Sequence, residues 1–331
     1  MNLIEAREIL EKALDLDIPL MLWGPPGVGK STLVAETAGK RKLPVCDLRL
    51  AQLDATDLRG LPVPEHKTKQ LIWYPPAFLP REGEGVLFLD EIDKAPALVK
   101  NAALQLVLDR RVGDYQLPPG WRVAAAGNRE EDDALSSALG SALANRMLHV
   151  EVDPDMDTWA AWAKENDISE DIIAFLRFRP ELLCKNTGEH AFPSPRSWAA
   201  ASRLYEGKEP ASEKTRLISS AVGGGTASEF SGWSRIYRAI EVKKILAGIL
   251  PTLLKDEASL RYAVVLAVAA HISRHKIEDC AIPHLAALLD AVTPELRVLL
   301  FKSLPPDLVS QLAAHPALRK VASKMVMAYV K

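Results

Sequence analysis

The sequence predicts an α/β fold, a five-stranded parallel sheet with two β-hairpin inserts, followed by regions built from helices alone. Three observations carry that expectation. Short apolar runs alternate with helix-spaced segments as far as Val152. Two of those runs, Val86-Leu87-Phe88-Leu89 and Val123-Ala124-Ala125-Ala126, are continuous rather than alternating, which suits strands covered on both faces. Beyond Asp153-Pro154 strand signals stop and amphipathic helical patterns take over. With 331 residues, 48% hydrophobic and 25% charged, the chain is long enough for two or three globular domains.

Taken in order, Leu3 to Leu16 places apolar side chains at helical spacing and leads into a strand, Ile18 to Trp23. Gly24-Pro25-Pro26-Gly27-Val28-Gly29-Lys30-Ser31 follows, and Ser31 to Ala38 opens a helix that closes on Lys40-Arg41-Lys42. Leu43 to Leu48 reads as a second strand and Gln52 to Leu58 as a short helix. From Arg59 to Pro80, six Gly and Pro residues punctuate two β-prone pieces, Leu61-Pro62-Val63 and Leu71 to Tyr74, around a polar tip at His66 to Gln70. Gly85 to Glu91 is the third strand, Ala95 to Asp109 a helix, and Arg110 to Leu117 a second hairpin turning at Gly113-Asp114. Trp121 to Asn128 is the fourth strand and Leu148 to Val152 the fifth, with helical residues at Ser136 to Leu143 and then Asn145-Arg146 between them. Helices are expected at Trp159 to Asn166, Glu170 to Phe178, Ser197 to Leu204, Glu213 to Val222 and Trp233 to Ile249. Gly223-Gly224-Gly225 reads as a helix stop and connector, and further helices run from Pro251 to Lys331.

Strand, glycine-rich loop and helix in that order form a phosphate-binding loop: backbone N–H groups close around phosphate oxygens at a helix N-terminus. Lys30 reaches the β- and γ-phosphates, and the Ser31 hydroxyl holds Mg²⁺ together with Asp90. Gly24, Pro25, Pro26, Gly27, Val28, Gly29, Lys30, Ser31 and Thr32 form the nucleotide set with Asp90, and Glu91 is the base that activates the attacking water. Asn128, at the end of a neighbouring strand, can both donate to and accept from water and phosphate oxygen. Arg146 and Arg196 are two candidates for neutralising γ-phosphate charge. A plain surface ion pair is the competing role for either one.

Other classes are less well supported. A net charge of −2 gives no overall pull toward nucleic acid or anionic membrane. Cys46, Cys184 and Cys280 are too few and too scattered for a disulfide framework, which fits a cytoplasmic protein. The N-terminal residues lack a signal-peptide core. Tyr262 to Ala270, the longest apolar run, is too short to span a bilayer.

As a set, these motifs resemble an AAA+ ATPase, with a P-loop NTPase core, and within it the MoxR family of the helix-2-insert clade (CbbQ/NorQ-like). Gly24 to Ser31 matches Walker A, Leu87 to Glu91 Walker B, Asn128 sensor 1, Arg146 the arginine finger and Arg196 the sensor 2 arginine. Arg59 to Pro80 is similar to the helix-2 insert and Arg111 to Pro118 to the presensor-1 hairpin. Asn145 stands where relatives often carry Asp. The resemblance implies an α/β nucleotide-binding domain at 1–152, an all-α lid at 153–245 and an extra all-α region at 246–331. It also implies ATP and Mg²⁺ as cofactors, a homo-oligomeric ring, commonly a hexamer, a von Willebrand A-domain partner and a protein target. Arg110, Arg111 and Arg129 are the other arginines that could act in trans. A nucleic-acid motor using Lys67 and Lys69, and a slow nucleotide-switched scaffold, are the rival readings.

Overall fold

The computed structural model describes residues 1–67, 69–132, 136, 144–206, 209–251, 257–275 and 277–319. By internal contacts the chain divides into two units, one comprising 1–161, 184–188 and 194–197, the other comprising the remaining residues.

The first unit is built on the expected sheet. Strands β1 (Leu20–Trp23), β2 (Val45–Arg49), β5 (Glu84–Asp90), β8 (Gly120–Gly127) and β9 (Leu148–Glu151) line up in the order β2-β5-β8-β1-β9, every pairing parallel. Side-chain alternation along these continuous runs divides them between two cores. Leu87, Leu89, Val123, Ala125 and Met21 point to one side, where they pack with helices α3 (Ala55–Arg59) and α4 (Ala97–Asp109) through Leu58, Val99, Ala102 and Leu106. Val86, Phe88, Ala124, Ala126, Leu20 and Leu22 point to the other. There they meet α1 (Leu3–Leu16) and α2 (Lys30–Lys40) through Leu10, Ala13, Leu33 and Val34.

Both hairpins are present. Strand β3 (Leu61–Glu65) pairs with β4 (Gln70–Tyr74), and β6 (Arg111–Val112) pairs with β7 (Tyr115–Gln116). They meet at the expected turn, where the Asp114 carboxylate accepts the Trp73 N–H at 3.0 Å. The expected helix at Ser136 to Leu143 lies, from residue 137 onward, outside the described residues.

Three helical expectations need correction. The helix expected from Ala95 begins instead at Ala97, because Ile92–Lys94 forms a separate 3₁₀ turn and Pro96 starts the helix. The triple glycine is not a connector throughout. Gly223 alone breaks the chain, at φ +84°, and a helix runs from Gly224 to Arg238. Ala227, Phe230, Trp233, Ser234 and Tyr237 are buried at helical spacing, and that apolar face outweighs the poor propensity of two glycines in the first turn. The single helix expected at Trp233 to Ile249 accordingly ends at Arg238, followed by a short one at Val242–Leu246.

The second unit is helical in its described residues, with an aromatic cluster in which Phe175 packs against Trp198, Phe230 and Trp233. A second core there joins Ile245 to Val264, Val268, Leu285, Leu289 and Leu300. No helix among the described residues is long and apolar enough to cross a membrane.

Candidate nucleotide site

The site forms where β1, β5 and β8 end side by side, the edge at which ligands of open parallel sheets collect. From β1 the chain turns sharply at Gly24. Here φ is +153° and an added Cβ would lie 2.3 Å from the Val152 carbonyl oxygen, so only glycine fits. Gly27 and Gly29 also adopt positive φ, and α2 starts at Lys30. Residues 24 to 31 thus wrap a helix N-terminus with their backbone, which is an anion cradle.

Lys30 is 8% exposed and donates to three oxygens: the Gly24 carbonyl at 2.5 Å, the Pro25 carbonyl at 3.1 Å and the Asn128 side-chain carbonyl at 3.0 Å. The Ser31 hydroxyl donates to Asp90 Oδ2 at 2.8 Å. The loop is therefore tied to the ends of two other strands, through Asn128 after β8 and Asp90 on β5. Glu91 leaves β5 in the left-handed region, at φ 55°, with its N–H donating to Asp90 Oδ1 at 2.9 Å. A non-glycine residue held there is strained, and the turn separates Glu91 from the strand direction that Asp90 still follows.

Burial pushes the Lys30 ammonium down to about 8, against the pull of Asp90, Asp93 and Asp132, while Arg196 adds to the lowering. The folded value lies below the unfolded one, so between the two the unfolded state binds more protons, and stability gains from this group as pH rises. Ligand binding has the opposite sign, because a phosphate beside Lys30 favours its charged form. In EDTA, ADP affinity should fall by up to about tenfold per pH unit above pH 8. Lys30→Arg, which keeps its charge, should flatten the profile. Titration of a fluorescent ADP analogue between pH 7 and 9.5 measures both.

Asp93 escapes a sequence reading because it lies past the strand, in a turn. It is fully buried, accepts from the Ser136 hydroxyl at 2.7 Å and adds negative charge behind Lys30. Its one sequence signal is Gly127, where an added Cβ would come 2.7 Å from Asp93 Oδ1.

Arg196 opens the helix Pro195–Tyr205, as expected. Ser194 caps it: its hydroxyl accepts the Ser197 N–H at 3.1 Å, and the Ser197 hydroxyl accepts the Ser194 N–H at 2.8 Å. This places the segment against the phosphate loop, so that a Cβ built on Gly27 would lie 3.3 Å from that of Arg196. Arg196 itself is exposed.

Arg146 is elsewhere. It precedes the N-terminal end of β9, level with the start of β1, whereas the phosphate loop follows the far end of β1. The strand between them spans about 10 Å. Arg146 is exposed and pairs with no carboxylate among the described residues. The competing arginines differ. Arg129 is held by Asp132 at 2.6 Å and Asp153 at 2.9 Å. Arg110 is held by Asp17 at 3.1 Å and by the carbonyls of Pro118 and Trp121. Arg111 is exposed on β6.

Residues 20–150 match the model of a family described as "ATPase family associated with various cellular activities (AAA)". This segment is an AAA ATPase domain. The domain binds ATP and hydrolyses it. Three solved structures are loosely similar over larger shares of the chain. NtrX from Brucella abortus in complex with ADP is 17% identical at a TM-score of 0.42, over 82% of this chain and 63% of its own length. The RuvB Holliday junction branch migration motor of Thermotoga maritima is 17% identical at 0.41, over 76% and 75%. A putative ATPase from Cytophaga hutchinsonii is 14% identical at 0.36, over 98% and 88%. The chain thus spans less than two thirds of the NtrX chain. Similarity at this level transfers no residue role to the AAA domain.

Proposed function

We propose that the protein is a ring-forming, Mg²⁺-dependent ATPase of the MoxR type, working in the cytoplasm, that remodels or activates a protein target together with a von Willebrand A-domain partner. The observation that carries the ring is the position of Arg146, exposed at the edge strand and separated from its own phosphate loop by the length of the sheet. An arginine there serves a nucleotide held by a second copy. ATP lies in the loop from Gly24 to Thr32, with Lys30 on its phosphates. Ser31 and Asp90 fit Mg²⁺, since a hydroxyl and a carboxylate already 2.8 Å apart supply the hard oxygens this ion takes alongside phosphate. The ion would draw charge from the β- and γ-phosphates. Glu91 accepts the proton of the attacking water, Asn128 orients that water, and Arg196 contacts phosphate in its own chain. The division into a nucleotide-binding domain at 1–152, a lid at 153–245 and a partner-specific region at 246–331 belongs to the same reading.

The hairpin favours a protein target over nucleic acid. Leu61, Leu71 and Tyr74 are each more than 60% exposed, an apolar surface beside a tip that carries two lysines, Lys67 and Lys69. Specific ATPase rate should rise cooperatively with protein concentration, in step with hexamer formation measured by mass photometry in ATP. A rate per subunit that is independent of concentration, with monomers fully active, would rule the ring out. Loading the Glu91→Gln form with ATP and identifying a co-purified von Willebrand A-domain chain tests the partner.

A further inference from the structure

One contact lies between the two halves of this proposed site. Trp23 is the last residue of β1 before Gly24, and its indole Nε1 donates to His149 Nδ1 at 2.8 Å, the two rings stacked at 11° with centroids 6.1 Å apart. An indole nitrogen can only donate, so Nδ1 of His149 is the unprotonated nitrogen and its hydrogen sits on Nε2. That Nε2–H donates to the Ala144 carbonyl oxygen at 2.7 Å. Ala144 is two residues before Arg146, and the intervening turn is anchored afterwards by Met147, which is buried. The link therefore runs from the residue entering the phosphate loop, across β9, to the segment presenting the exposed arginine. It passes through a single neutral imidazole.

We propose that Trp23 and His149 form a positioning relay that fixes the Arg146 segment, so that the strand entering one subunit's phosphate loop sets the arginine this subunit offers to the next. This rests on the trans role of Arg146. The sheet explains why a relay is needed there. β9 is an edge strand whose one strand partner among the described residues is β1, and no described strand lies on the outer side of the turn 144–147 that precedes it. An exposed arginine on such a turn has many orientations. Tying the Ala144 carbonyl to an imidazole that is itself held in one tautomer removes part of that freedom before a second copy arrives, and pre-organisation of this kind raises transition-state stabilisation rather than ground-state binding. His149 and Trp23 touch no reacting atom, and both act through Arg146.

The test uses the full chain at concentrations where it assembles. Trp23→Phe keeps a ring and removes the donor. His149→Phe keeps a ring and removes both hydrogen bonds, and His149→Gln restores an acceptor and a donor. Both Phe variants should lower kcat by about three- to tenfold, the worth of one or two hydrogen bonds, with the KM for ATP, ADP affinity and Tm unchanged. His149→Gln should recover part of the loss. In an Arg146→Ala background His149→Phe should cost nothing further, because the group it positions is gone. Mixed with Glu91→Gln subunits, His149→Phe subunits should regain turnover, since their own phosphate loops then face an unaltered arginine. Unchanged kcat in both Phe variants overturns the relay, and so does an additive loss in the Arg146→Ala background. A failure to recover on mixing, despite co-assembly, would place the action of His149 on its own phosphate loop. Wild-type turnover by Arg146→Ala itself is a separate result, which removes the trans reading and the relay with it. Where His149→Phe fails to fold, Trp23→Phe carries the same comparisons.

Discussion

Glu91→Gln should bind ATP as the native protein does and lose turnover by a factor on the order of 10² to 10⁴, the usual contribution of a positioned general base. The substitution keeps the length and shape of the side chain and leaves the backbone contact from the Glu91 N–H to Asp90 in place. Neither Lys30 nor the Ser31 to Asp90 hydrogen bond involves Glu91, so the phosphate cradle should be intact. Only the proton acceptor is removed, and kcat should fall without a rise in KM. Single-turnover hydrolysis of radiolabelled ATP, alongside equilibrium binding, separates the two quantities. Full turnover in the variant would show that another group accepts the proton.

Arg146→Ala should cost more, on the order of 10³ to 10⁵ in kcat, if its guanidinium neutralises developing charge on the γ-phosphate. Nucleotide binding by the isolated subunit should not change, because Arg146 lies at the other end of the sheet from its own phosphate loop. Stability should barely move either, since an exposed arginine with no ion pair among the described residues contributes little to folding. The decisive measurement mixes Arg146→Ala with Glu91→Gln. Each is inactive alone, but a co-assembled ring contains sites in which an intact Glu91 faces an intact Arg146, and these should hydrolyse ATP. No recovery in demonstrably mixed rings would move the role to a different arginine. Arg111 is then the one to try, since Arg110 and Arg129 are already held by carboxylates of their own chain.

Much of the fold is legible in the sequence. The five strands and both hairpins follow from apolar runs and turn residues, and the phosphate loop follows from glycine spacing, because each of these is a local rule acting between residues close in the chain. The misread glycines show where local rules lose. Gly224 and Gly225 are helical because Ala227, Phe230 and Trp233 bury one face, a tertiary reward that no propensity includes. Asp93 is hidden from local rules for a similar reason, since a carboxylate in a turn gains importance only when folding buries it behind Lys30.

The sequence by itself determined that a phosphate loop, a strand-ending acidic pair and a strand-ending asparagine exist, because covalent neighbours fix their local shape. Which of these groups meet was decided by the sheet order. The strand order β5-β8-β1 brings Asn128 onto Lys30, 98 residues away in the chain, and Ser31 onto Asp90, 59 residues away. The same parallel register sends Arg146 to the end of the sheet opposite its own phosphate loop. Arg196 and Arg146 were indistinguishable as two arginines in a string. The direction of the edge strand turns Arg146 away from its own phosphate loop, and the capped start of the helix Pro195–Tyr205 sets Arg196 against it.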